Sequence, residues 1–190
     1  RSAFSYLKAF QDYGGTPAEI ANAQANIIYL MGVMGHIVGD CAQPLHVTKH
    51  HHGWVGDNPM GYTTNASFHG WIDGGFFKKT GGINLGALAG KIRPAIIVGD
   101  PLKPEDLFRQ VMAYLGRTYQ QLEPLYQLEK EKKLTPENEQ ASEGRALLNG
   151  QLVNGGQMLG DLWFSAWQQA TEDKYLIRQL TERKVANAGK

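Results

Sequence analysis

Apolar residues recur at three-to-four spacing through most of the chain. Ile20, Ile27, Leu30, Met31, Met34 and Val38 mark the buried face of one helix. Thr16 as N-cap, Pro17 as first helical residue and Glu19 in the first turn open it, and Pro44 ends it, so it is predicted to run to about Cys41. A second helix is predicted from about Ala66 to Phe77. Pro104-Glu105-Asp106 opens a third, with Leu107, Val111, Tyr114, Leu115 and Leu122 inward and a bend at Pro124. Thr135-Pro136-Glu137 opens a fourth, with Leu147, Leu148, Leu152, Leu159, Leu162 and Trp163 inward. Alternating β-branched runs are nearly absent, apart from the ambiguous Ile96-Ile97-Val98. The pattern predicts an all-α fold.

Composition adds organisation to this picture. The first half is rich in glycine and the second in charge, but no Ser/Pro/Gly-rich linker divides them. The 190 residues therefore read as a single helical domain, 1–190, with a histidine-bearing segment 17–77 and a helical remainder 78–185. Nineteen Lys+Arg against eighteen Asp+Glu leave a formal charge of +1, which argues against a polybasic nucleic-acid tail. The single cysteine, Cys41, excludes an internal disulfide framework and any multi-cysteine metal site, and reads as a small buried hydrophobe. No run of 18 apolar residues predicts a membrane span, and no leader-like apolar core follows Arg1. Phosphate-loop, serine-hydrolase and thiol-redox motifs are all missing from the sequence.

The histidines change the picture most. All six lie between His36 and His69. His36 and Asp40 are four apart, so a helix projects both from one face a turn apart, and His69 and Asp73 repeat that spacing. His46 follows Pro44 and can fold back toward the end of the first helix. One such pair is ordinarily a helix-surface ion pair. Two pairs plus His46 point instead to a divalent metal bound by imidazole and carboxylate, which suits zinc and also manganese or iron. Gly32, Gly35 and Gly39 in the same helix suggest close approach by a backbone or ligand, or tight helix packing. His50-His51-His52 reads as a solvated loop or as the source of an auxiliary metal or phosphate contact. Trp163 and Trp167 read as core and Asp161 as a surface or packing group, whereas Trp54 is the better candidate for ligand contact.

The order His36-x3-Asp40-x5-His46, with Gln43-Pro44-Leu45 inside it, followed by His69-x3-Asp73, resembles the metal core of one superfamily. It comprises the bacterial zinc-dependent phospholipases C and the single-strand-specific zinc nucleases of fungi and plants. The resemblance covers residues 17–77 and implies an all-α fold with up to three zinc ions. On that pattern His36 and Asp40 would bind one zinc of a close pair, Asp40 would bridge the pair, and His46, His69 and Asp73 would bind the third. The implied reaction is phosphodiester hydrolysis by zinc-bound hydroxide, on single-stranded nucleic acid or phospholipid. Gly39-Asp40 and Gln43-Pro44-Leu45-His46 match the nuclease branch better than the phospholipase branch. The upstream ligands of the close pair have no counterpart before His36, so the chain is expected to be the C-terminal portion of a longer protein, with the catalytic acid upstream. Without upstream ligands, a non-catalytic metal-binding domain is the further alternative. The resemblance also implies a secreted or periplasmic location.

Overall fold

The computed structural model describes residues 1–135 and 142–188. Nearly seven-tenths of the chain is helical, with no strand among the described residues. The helices are α1 (Ser2–Tyr13), α2 (Pro17–Asp40), α3 (Ser67–Gly70), α4 (Phe76–Lys79), α5 (Leu85–Ala89), α6 (Pro104–Tyr119), α7 (Leu122–Lys130), α8 (Ser142–Gln168) and α9 (Lys174–Ala188). A 3-10 turn spans Pro44–Val47, and a π-helical turn, Trp71–Gly75, joins α3 to α4 without a break. No helix among the described residues is long and apolar enough to cross a membrane.

The start of α2 is fixed as its sequence predicts. Thr16 Oγ1 accepts from the Glu19 amide, and the Glu19 carboxylate accepts from the Thr16 amide, so two otherwise orphaned donors are satisfied reciprocally. At its other end, Tyr114 of α6 donates its hydroxyl proton to the Val38 carbonyl at 2.9 Å. Gln151 of α8 donates to the Ala42 carbonyl at 2.7 Å. Gly155 of α8 lies against the same point, where an added Cβ would sit 3.0 Å from Ala42 Cβ. These contacts hold the last turn of α2, with Asp40, and the chain leading to His46.

Two apolar clusters form the core. One joins Leu45, Tyr62, Phe68, Ile72, Phe76, Phe77, Leu122, Leu125, Tyr126, Leu134 and Leu148. It therefore binds the 3-10 turn, the α3–π–α4 run, α7 and α8 into one body beneath the histidines. The other joins Val38, Ala42, Tyr114 and Met158 where α2, α6 and α8 meet. Outside these, α1 packs on α2 and α9 on α1.

Several expectations are corrected. The helix opened at Pro104 does not bend at Pro124 but ends at Tyr119, and α7 begins at Leu122. Proline in a first turn loses no helical bond, whereas in a continuous helix its ring would strike the carbonyl four residues back. Leu30 is 51% exposed, Leu152 42% and Trp167 48%, so they leave the predicted buried faces. Gly32 and Gly39 meet no close neighbour, and Gly35 makes only an ordinary contact with Leu159. Ile96-Ile97-Val98 forms no strand. It runs along α8, with the Ile96 amide donating to Asp161 at 2.9 Å and the Val98 amide donating to Ser165 Oγ at 2.7 Å. Asp161 is only 3% exposed and also accepts from Arg93 and Gln157, which makes it an internal clamp. Cys41 is partly buried, and burial pushes its thiol pKa up, with the Asp40 charge adding to the shift. The predicted helix start at Thr135-Pro136-Glu137 lies outside the described residues from Pro136 on, while α8 is described from Ser142.

Candidate metal centre

The last turn of α2 carries His36 and Asp40 on one face, with His36 Nε2 3.4 Å from Asp40 Oδ2. Beyond Cys41 the chain tightens into the 3-10 turn, capped by Gln43, whose Oε1 accepts from the Leu45 amide at 2.6 Å. Leu45 is fully buried, so the next residue, His46, is carried back over the end of α2. His46 Nδ1 stands 3.5 Å from Asp40 Oδ1 and its Nε2 stands 3.4 Å from Asp73 Oδ1. The α3–π run presents His69 and Asp73, with His69 Nε2 2.8 Å from Asp73 Oδ2 and 2.9 Å from His46 Nε2. Gln43 Nε2 donates to Asp73 Oδ1 at 2.9 Å and ties the two segments together. The five predicted residues thus form one continuous series of contacts, His36–Asp40–His46–Asp73–His69.

The histidine loop adds two members that sequence reasoning left open. His50 is turned away: it is buried, stacks on Trp54 at 3.9 Å between ring centroids, and accepts from the Val55 amide through Nδ1. Burial lowers its pKa, with the Lys49 charge adding to the shift. His51 turns inward, donating from Nδ1 to the Leu45 carbonyl at 2.8 Å, with its ring centroid 3.8 Å from that of His69. His52 Nδ1 lies 3.4 Å from His69 Nδ1. Gly53, at φ 98°, closes the loop against Thr64, whose carbonyl carbon a Cβ would approach to 2.5 Å. Trp54 is engaged with His50, Tyr62 and Tyr126, so it is a packing residue rather than a stacking platform.

One ligand atom from each of His46, His51 and His69 lies within 4.8 Å of the other two, close enough to bind a metal ion. Burial lowers the His69 pKa, against the opposing charge of Asp73, and favours the neutral imidazole that a metal requires. The donor set of three imidazoles and the Asp73 carboxylate, with no thiolate, suits a borderline divalent cation such as zinc. Tetrahedral zinc holds its nitrogen donors about 3.3 Å apart. The 2.8, 2.9 and 3.4 Å separations among His46, His69 and Asp73 bracket that value. His36 and Asp40 are different in kind: the His36 side chain is 78% exposed, and among the described residues only the Asp40 carboxylate faces it.

A cavity of about 370 Å³ opens beside the centre. Asp40, Gln43, His46 and Asp73 line it together with Ile72, Phe77, Ile83, Leu148 and Leu152. Gly39 lines it too, so the glycine beside Asp40 leaves space at the carboxylate instead of admitting another helix. An ion at the centre would have a half-apolar cavity on its flank, with carboxylates at the boundary. The chain matches none of the protein-family models, curated proteins or solved structures with which it was compared, so the identity of the centre rests on its own residues.

Proposed function

We propose that this chain carries the metal centre of a zinc-dependent phosphodiester hydrolase of the nuclease kind. One observation carries the proposal: five residues from three separate segments, picked out by spacing, meet in a single series of contacts, and three of them, Asp40, His46 and Asp73, line one cavity. Zinc at such a site supplies a hydroxide near neutral pH and positive charge for the phosphate oxygens. The chain's own residues do the positioning. Gln43 holds Asp73 in place, Asp40 lies beside His46, and the cavity wall receives the organic part of the ester.

A specific observation also favours a phospholipid substrate. The apolar part of the cavity lining is aliphatic apart from Phe77, and among the described residues no Lys or Arg lines the cavity to follow a polyanionic strand. Zinc content and hydrolysis rates on single-stranded DNA and on a short-chain phosphatidylcholine separate the readings. The nuclease reading expects zinc in the purified protein, faster cleavage of DNA, and at least a roughly 100-fold loss of rate in His46→Ala. Faster cleavage of the phospholipid assigns the centre to the second reading. Zinc without hydrolysis of either substrate makes the centre structural, and unchanged activity in His46→Ala overturns a hydrolytic role for it.

A further inference from the structure

We propose that His51 is a direct ligand of the ion held by His46 and His69, so that with Asp73 the centre has four protein donors. The inference rests on the metal centre above and adds a residue that the five-residue spacing pattern does not contain.

The arrangement of hydrogen bonds around the three rings supports it. A carbonyl oxygen can only accept, so the 2.8 Å contact with Leu45 requires a proton on His51 Nδ1 and leaves the lone pair on Nε2. His46 has Asp40 Oδ1 beside its Nδ1, and His69 has His52 beside its Nδ1. Each of the three histidines therefore has an outer partner at Nδ1, the arrangement by which metal-ligating imidazoles are oriented and their tautomers fixed. His46 and His69 then face each other and Asp73 through Nε2.

The loop is built to hold His51 there. The Tyr126 hydroxyl, buried at the centre of the larger apolar cluster, donates to the His50 carbonyl at 2.6 Å. His50 is clamped between that bond and the Trp54 ring, and Gly53 supplies the left-handed turn that follows. With its neighbours fixed, the ring of His51 is confined beside His46 and His69, 5.3 and 3.8 Å away between centroids.

Four protein donors fill a tetrahedral zinc, so the water that hydrolysis needs would enter as a fifth ligand. The ion would then join the His50–His52 loop, the 3-10 turn and the α3–π run.

Zinc binding by the purified chain tests this without reference to activity. With one equivalent of zinc, X-ray absorption on the unaltered protein is expected to count three imidazoles, and a count of two overturns the proposal. Chelator competition is expected to show zinc affinity lower by about 100-fold in both His51→Ala and His51→Gln. Circular dichroism of the metal-free proteins checks that both variants fold. Affinity unchanged in folded His51 variants but lost in His46→Ala removes His51 and leaves the centre standing. Absence of zinc binding by the unaltered chain overturns the centre itself.

Discussion

Tyr126 and His50 are 76 residues apart in sequence, yet the phenol of one fixes the backbone of the other. The ring is fully buried, and burial pushes the hydroxyl pKa up to about 12, so it remains a donor throughout the physiological range. Tyr126→Phe keeps the packing volume and leaves the His50 carbonyl unpaired, which is expected to cost about 1–2 kcal/mol in urea denaturation. Zinc affinity should fall with it, since the bond positions the histidine loop; a variant as stable as the parent and equally avid for zinc would contradict this account. The same pair explains what was legible at this scale. His36 with Asp40 and His69 with Asp73 were readable because helical spacing puts each pair on one face, and His46 because it follows the helix-ending Pro44. The separate destinations of His50, His51 and His52 depend on Tyr126 and Trp54, a distant side chain and a ring stack, and no local spacing encodes those.

Element boundaries were most legible where a cap is written in the sequence. The Thr16–Glu19 box and Pro17 start α2 where predicted, and Pro104 starts α6. Helix α1 went unseen because Arg1 supplies no side-chain cap, and α9 because its sequence lacks a long apolar face and has one buried residue, Leu180. The box also reaches across elements. Arg183 of α9 donates to both oxygens of Glu19, at 2.8 Å each. Those bonds, with the Thr16 amide, lower the Glu19 pKa to about 2 from its usual 4.5. A carboxylate with a depressed folded pKa stabilises the fold above its unfolded pKa and loses that contribution as pH falls. The Tm advantage of the parent over Glu19→Gln is therefore expected at pH 6, to shrink below about pH 4.5 and to vanish near pH 2. A difference that stays constant with pH would mean that Arg183 contributes nothing through charge.

At the scale of the whole molecule, an all-α chain was legible from periodicity, but the division of its core into two clusters was not. That division depends on which helix faces which. Tyr114 and Gln151 reach the end of α2 from helices more than 70 residues away in sequence, and Asp161 anchors the segment Arg93–Val98, which had looked like a strand. The consequence is that the three histidines close enough to bind a metal ion share their elements with the larger cluster. These candidate donors come from the 3-10 turn, the histidine loop and the α3–π run, which pack on the apolar body of Leu45, Phe68, Ile72 and Tyr126. Helix α1 packs on α2 and α9 on α1, and neither supplies one of the candidate donors. Binding to the native state alone stabilises by mass action, and a ligand released by chelation takes that stability with it. Hydrogen exchange in the zinc-loaded and chelated protein should therefore change unevenly. Amides of residues 45–73 are expected to exchange at least tenfold faster after chelation, whereas those of α1 and α9 stay nearly as they were. Uniform acceleration through all helices would show that the ion stabilises the molecule as one cooperative unit. No change anywhere would show that the histidines, close as they are, hold one another without a metal.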